Sequence, residues 1–179
     1  AGIGDPSRAY LAVFNSTPLE RKLAVLLGIP LNGVDPALRH LGTKSGSRKV
    51  FREAGVALPD GFEDLRTLQD VEEGLLELHR RRSGIRKAVV KLDDSFSGEG
   101  NALFRYPERV DRDSIRGAVE RLEYAVPWVT NADYFASFER MGGIVEEFLE
   151  ADHKTSPSVQ LRVDPHGAVV PISTHDQVL

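Results

Sequence analysis

Lys91 sits near the end of an apolar run, Val89-Val90-Lys91-Leu92. Two aspartates follow it, and then a loop of mostly small residues, Ser95-Phe96-Ser97-Gly98-Glu99-Gly100-Asn101. A loop of Gly and small hydroxyl residues lets backbone N–H groups approach an anion with no Cβ in the way. A lysine on the strand before it can set a point charge on the same anion. The chemistry that suits this pair is the holding of phosphates. The same letters also describe a tight hairpin on a protein surface, and spacing alone leaves both readings open. The run is not a Walker A loop, which needs Gly-x-x-x-x-Gly-Lys-Ser/Thr opening a helix, whereas this loop opens onto a strand. Gly-x-Gly-x-x-Gly is absent as well.

Other chemistry-bearing residues are scattered. The five histidines, His40, His79, His153, His166 and His175, include no pair with metal-ligand spacing on one face. His79 reads as a helix residue and His166 as a turn residue. His175-Asp176 stands near the C-terminus with no partner motif. No Gly-x-Ser-x-Gly elbow exists for a serine nucleophile; "GTKSGS" is not one. There are no cysteines, which excludes disulfides, zinc-thiolate sites and a cysteine nucleophile. That composition is consistent with a cytoplasmic protein.

The totals describe an ordinary globular chain. Its 179 residues make one domain or two small ones sharing an interface. The formal charge of −4, with no basic face, speaks against a nucleic-acid partner. No apolar run approaches the ~20 residues of a membrane span. The chain opens on Ala1 without an initiator Met and stops at "STHDQVL", so it reads as a piece of a longer protein.

The elements that must position these residues follow from periodicity and caps. Residues 7–15 and 17–28 read as helices, the second with Thr17 as N-cap, Pro18 in the first turn and Gly28 as its stop. A connection rich in Gly, Pro and Asn fills 28–36. A helix over 43–54 ends at Gly55, and an extended segment with a turn at Pro59-Asp60-Gly61 follows. Residues 69–82 form an amphipathic helix with Val71, Leu75, Leu76 and Leu78 on its apolar side, and Arg80-Arg81-Arg82 suit the negative end of its dipole as a solvated helix end. Two strands, 86–92 and 101–106, flank the glycine loop. Helices are expected at 112–124 and around 132–140, a strand over "IVEEFLE", and a closing hairpin whose turn is Asp164-Pro165-His166-Gly167. Helices, strand-loop-strand, helices and then strands make an α+β pattern with antiparallel pairs.

Two further stretches bear on the loop. "GTKSGSRKVFREAGVALP" places Lys44 at a helix start and ends in Gly55-Val56 and Pro59. "GGIVEEFLEAD" sets two carboxylates before an aromatic and a leucine. Taken with "VVKLDDSFSGEGN", in this order, the chain resembles the ATP-grasp superfamily of carboxylate–amine ligases, and its peptide-ligase branch in particular, over about residues 28 to 179. The resemblance implies an ATP-grasp fold. Residues 1–42 would end a preceding helical region, 43–142 would be the small lobe with its flap, and 143–179 the hinge strand and the start of the large lobe. It also implies site residues. Lys44 and Lys91 would reach the α- and β-phosphates. Ser97, Gly98 and Gly100 would offer backbone amides from the flap 95–101. Glu146, Glu147, Phe148 and Leu149 would be the hinge that meets adenine, with Glu150 or Asp152 on the ribose. Arg162, on a later strand, is a further candidate for phosphate.

Ligases of this kind join a carboxylate to an amine through an acyl phosphate, using ATP and Mg²⁺. The family's metal ligands, an Asp and then Glu-x-Asn, come late in the domain, so they are expected beyond residue 179. Glu99-Gly100-Asn101 has the letters but lies inside the flap and is declined as a metal site. No catalytic residue is therefore assigned, and the 179 residues alone are expected to be inactive. The expected partners are ATP and the carboxylate and amine substrates, with neither nucleic acid nor membrane. Homo-oligomer formation would fit a strand edge left open by truncation. The rival reading is a non-catalytic module that kept the fold for binding or interaction, with the helices at 69–82 and 112–124 as a partner surface. A plain structural domain is the weaker third.

Overall fold

The computed structural model describes residues 3–177 apart from Ser97 and Pro165. The chain divides into two compact units, Ala1–Phe148 and Leu149–Leu179.

The first unit opens with a 3₁₀ turn, Pro6–Arg8, and strand β1, Leu11–Ala12. Helix α1, Pro18–Leu27, crosses to β2, Leu31–Asn32, which pairs with β1 in parallel. The helix expected over 7–15 is thus replaced by a turn and a strand. Leu11 N–H donates to the Pro30 carbonyl at 2.8 Å, and pairing with a distant segment overrides a weak local preference. Helix α1 obeys its signals: Thr17 and Glu20 form a reciprocal capping box, Pro18 opens the helix and Gly28 closes it. A 3₁₀ segment, Pro36–Gly42, leads into α2, Lys44–Glu53, capped by Thr43.

Then come β3 (Gly61–Leu65), α3 (Leu68–Arg81), β4 (Lys87–Leu92), β5 (Asn101–Arg105), α4 (Arg112–Val119), β6 (Glu123–Tyr124), α5 (Asn131–Met141) and β7 (Gly143–Glu147). Five strands form one antiparallel sheet in the order β3-β7-β4-β5-β6. Helix α4 stops at Val119, short of the expected 124. Leu122 turns into the core, and Glu123 and Tyr124 add an edge strand against Leu103 and Ala102.

Alternation along β4 gives the sheet two different faces. Ala88, Val90 and Leu92 join Ala102, Phe104 and Val145 against α3, α4 and α5 in the hydrophobic core. Fully buried side chains such as Phe104, Phe138, Leu75 and Ile115 dominate it, each worth about 1.5–3 kcal/mol on leaving water. The opposite face carries Val89, Lys91, Ile144 and Glu146 in register, Lys91 opposite Ile144 and Val89 opposite Glu146. Helix α2 packs against β3 and β7.

The second unit is an antiparallel hairpin of β8 (Ser156–Val163) and β9 (Val169–Gln177). Asp164 organises its turn by accepting from His166 N–H at 2.8 Å and Ala168 N–H at 2.9 Å.

Candidate functional site

The sheet face away from the hydrophobic core carries a cluster of paired charges beside Val89 and Ile144. Glu146 on β7 is 9 % exposed. Its Oε1 pairs with the Lys91 ammonium, and its Oε2 accepts from Arg48 Nη1 at 2.8 Å. Arg48, four residues after Lys44 and so on the same side of α2, spends its other donors nearby. Its Nε reaches Glu63 at 3.2 Å and its Nη2 the Pro59 carbonyl at 3.0 Å. Arg52 closes the group on the far oxygen of Glu63 at 2.6 Å. Buried ions must be paired to persist, and every carboxylate here faces at least two cations.

Lys44 lies at the other end of that helix face. Its Nζ donates to the Ser95 carbonyl, the first residue of the glycine loop, at 3.4 Å. The helix start is fixed by Asp93, which is buried. Its Oδ1 accepts from Ser45 N–H at 2.8 Å, its carbonyl from Lys44 N–H at 3.1 Å, and its own N–H donates to Gly142 at 3.0 Å. Asp93 thereby ties the start of α2 to the end of β4 and the entry of β7. Close packing here demands glycine. A Cβ on Gly46 would lie 1.9 Å from the His40 carbonyl oxygen.

The described residues of the loop 95–101 fold back on one another. Glu99 N–H donates to Phe96 and Asn101 N–H to Gly98, both at 2.9 Å, while Leu92 N–H reaches Gly100 at 3.0 Å. A Cβ on Gly100 would meet Ser95 Cβ and Oγ at 2.4 Å. Ser95 Oγ and Asn101 Oδ1 are buried without a hydrogen-bond partner among the described residues. The Tyr134 hydroxyl, whose ionisation burial pushes well up, faces the carbonyls of Val90 and Gly100 from below.

A cleft of about 790 Å³ lies beside this loop. Its walls are the segments that follow β1 (Val13 to Thr17) and β2 (Gly33 to Asp35), together with Arg39, Asp94 and the loop residue Phe96. The carboxyl ends of parallel strands are where α/β layers habitually leave a binding crevice. Arg39 and Asp94 form an ion pair at the rim.

The structure brings Lys44, Lys91 and the loop together, with Glu146 beneath Lys91. Ser97 lies outside the described residues. Glu147 turns to the opposite side of β7 from Glu146 and binds Arg82 at 2.9 Å and Asp60 N–H at 3.1 Å. Neither glutamate is exposed. Phe148 N–H donates to the Lys87 carbonyl at 3.3 Å, and the Lys87 ammonium lies 5.5 Å from its ring centroid. In the second unit Leu149, Glu150, Asp152 and Arg162 are exposed, and the His175 ring contacts Ser173 Oγ at 2.9 Å. Sequence reasoning missed Arg48, Glu63 and Asp93. The i, i+4 spacing of Arg48 from Lys44 was the available signal. Among the described residues no group of three or more His, Cys, Asp or Glu could hold a metal, and no helix is long and apolar enough to cross a membrane.

Comparison with known proteins bears on this arrangement. Residues 36–110, which carry α2, Lys91 and the loop, match the family model described as IQCH-like, ATP-grasp. Among solved structures, D-alanyl-alanine synthetase A from Vibrio cholerae superposes with a TM-score of 0.56 at 11 % identity, over 93 % of this chain and 44 % of that one. An ADP complex of N5-carboxyaminoimidazole ribonucleotide synthetase gives 0.56 at 12 %, over 90 % and 35 %. The fold is ATP-grasp. Two curated proteins share this ATP-grasp sequence more closely. L-propargylglycine–L-glutamate ligase of Streptantibioticus cattleyicolor is 32 % identical over 93 % of this chain, and IQ motif-containing protein H of Danio rerio is 28 % identical over 85 %. The chain spans only 34 % and 18 % of their respective lengths.

Proposed function

We propose that this ATP-grasp chain is the nucleotide-binding part of an ATP-dependent carboxylate–amine ligase of the peptide-forming kind. The observation that carries the reading is the bond from Lys44 Nζ to Ser95 O. It sets one lysine at the mouth of the glycine loop that the other lysine's strand runs into. Lys44 and Lys91 would bind the α- and β-phosphates as point charges, with loop amides of Ser97, Gly98 and Gly100 on the outer phosphates. The backbone of Glu146 to Leu149 would meet the adenine edge, with Asp152 or Glu150 on the ribose. The functional division is 1–42, 43–142 and 143–179, the lobe with the flap being the middle one. The resemblance to a peptide ligase and the ADP complex of a structural neighbour support the nucleotide and the reaction class.

In the reaction, a substrate carboxylate oxygen bonds to the γ-phosphorus of ATP as the bond to the bridging oxygen of ADP breaks. The amine then attacks the acyl carbon, inorganic phosphate leaves with the bonding electrons, and the amine gives up a proton as the amide forms. This chain's part is to hold and orient the phosphates, placing charge where charge develops. Mg²⁺ would neutralise the phosphate oxygens in such a reaction. The described residues supply no ligand set for it, so no step is assigned to it here. The 790 Å³ cleft beside Phe96 is the place we assign to a carboxylate or amine substrate.

Calorimetric titration of ATP with Mg²⁺ tests this. Binding by the protein, weakened at least tenfold in both Lys44→Ala and Lys91→Ala, is expected. Silence at millimolar ATP in the full-length protein overturns it. A second reading is an ATP-grasp module without chemistry. It is favoured by one observation, that Lys91 already has a carboxylate partner in Glu146.

A further inference from the structure

A lysine that grips phosphate has to leave its carboxylate. Glu146 is 9 % exposed, and a buried carboxylate stripped of its only cation is strongly disfavoured. A lone Lys91–Glu146 pair would therefore resist opening. This pair is not alone. Arg48 holds the other Glu146 oxygen at 2.8 Å, and it is itself pinned by Glu63 at 3.2 Å and the Pro59 carbonyl at 3.0 Å. The Arg48 side chain is 7 % exposed and that of Lys91 25 %. One cation is fixed in the floor, then, and the other stands at the opening.

We infer that Arg48 is a positioning residue for Lys91: it keeps the Glu146 carboxylate paired while Lys91 moves to a phosphate oxygen. It acts in two ways. It satisfies Glu146 after Lys91 departs, and it divides the pull of one anion between two cations before that. Arg48 is suited to this because its planar fork binds two carboxylates and a carbonyl at once, which an ammonium on a flexible stem does not do. The inference rests on the reading that Lys91 binds nucleotide phosphate.

The test is ADP affinity with Mg²⁺, measured by calorimetry on the full-length protein and its variants, with circular dichroism confirming that each folds. Arg48→Met should weaken ADP about tenfold or more, since Lys91 becomes the sole cation on Glu146. Arg48→Lys should fall between it and the wild type. Glu146→Gln alone, which releases Lys91 and still offers a hydrogen-bond acceptor to Arg48, is the reference for the double variant, because Glu146 itself belongs to the proposed hinge. The double variant Arg48→Met/Glu146→Gln should recover most of the lost affinity. A merely structural Arg48 predicts the reverse, because a second change in the same cluster adds damage. A double variant that binds no more tightly than Arg48→Met, or more than a few-fold more weakly than Glu146→Gln, overturns the inference. A second arm needs no nucleotide: acetylation of Lys91 in the native protein, read by mass spectrometry. It should slow in Arg48→Met and recover in the double variant. If the wild type binds no ADP while labelling follows this pattern, the nucleotide reading falls and the coupling stands. If Lys91→Ala weakens ADP and Arg48→Met does not, the inference falls alone.

Discussion

The Tyr134 hydroxyl lies 3.0 Å from the carbonyl of Gly100, the last glycine of the loop, and 3.0 Å from that of Val90 on the adjoining strand. Tyr134 is 2 % exposed, and its ring packs among Tyr124, Phe135 and Phe138. A helix of the core thus holds the base of the glycine loop from the side opposite Lys91.

Tyr134→Phe keeps the ring and deletes the donor. Gly100 O still accepts from Leu92 N–H, so the cost should be about 0.5–1.5 kcal/mol, the usual net value of one hydrogen bond. Urea unfolding measures it. The substitution should also change the alkaline limb. Burial raises the folded pKa of Tyr134, whereas the unfolded chain ionises near pH ~10. Above that pH the native state binds more protons than the unfolded state, so stability falls as pH rises. Tyr134→Phe should flatten that fall. An unchanged slope would assign the alkaline loss to Tyr106 and Tyr124, whose ionisation burial also raises.

Gly46→Ala should lower stability although it sits inside a helix. Helix propensity alone favours alanine by roughly 0.5–1 kcal/mol. The added Cβ, however, would fall 1.9 Å from the His40 carbonyl oxygen and 2.9 Å from the Leu41 Cα. Backbone cannot yield as a side-chain tip can, so overpacking of ~1–3 kcal/mol should dominate. A rise in the melting temperature would show that the 3₁₀ segment before α2 is free to move away.

Much of this fold was legible because its signals are local. Thr17-Pro18 and Thr43 mark helix starts, Gly28 marks a stop, and the apolar run Lys87 to Leu92 marks a strand. The failures share one cause. Residues 7–15 carry helix-compatible letters, and only their pairing with Leu31 makes Leu11 a strand residue. Likewise α4 ends early because Glu123 and Tyr124 find an edge on β5. In the site, Lys44, Lys91 and the loop announce themselves by type. Arg48, Glu63 and Asp93 do not, since a buried charge reads like a surface charge until its partner, up to 98 positions away, is in place. The gap at Lys91 is of the same kind, because the sequence shows a lysine but not the carboxylate already on it.

Acid should loosen the protein through its helix caps. The Asp70 carboxyl is held below its ordinary range, first by Arg66 N–H and then by Thr67, against the opposing effect of burial. Asp111 is lowered first by the Ser114 backbone N–H. For a depressed pKa the stabilisation is complete above the unfolded value, near ~3.9, and is lost as pH falls through the folded value. Asp70→Asn and Asp111→Asn keep a capping oxygen and should lower stability only slightly at pH 7. At pH ~3 they should be closer to wild type than at pH 7. Urea midpoints at the two pH values decide it, and parallel curves for variant and wild type would clear the caps of any part in acid unfolding.

Asp93→Ala should damage stability and nucleotide affinity together. Ser45 is 2 % exposed, and its N–H has the Asp93 carboxylate as acceptor at 2.8 Å. Removing that acceptor leaves a buried donor unpaired, at about 1.5–3 kcal/mol for a charge-assisted bond. The same contact fixes the first turn of α2, from which Lys44 reaches Ser95. A shift there moves the ammonium off the loop. Asp93→Asn, which still presents an oxygen to Ser45, should regain most of both losses. Unfolding free energy and ATP affinity measured on the two variants separate the outcomes. If Asp93→Ala lost stability yet bound ATP as tightly as wild type, the position of Lys44 would not depend on this anchor. Equal losses in alanine and asparagine would show that Asp93 acts through its charge rather than through the bond to Ser45.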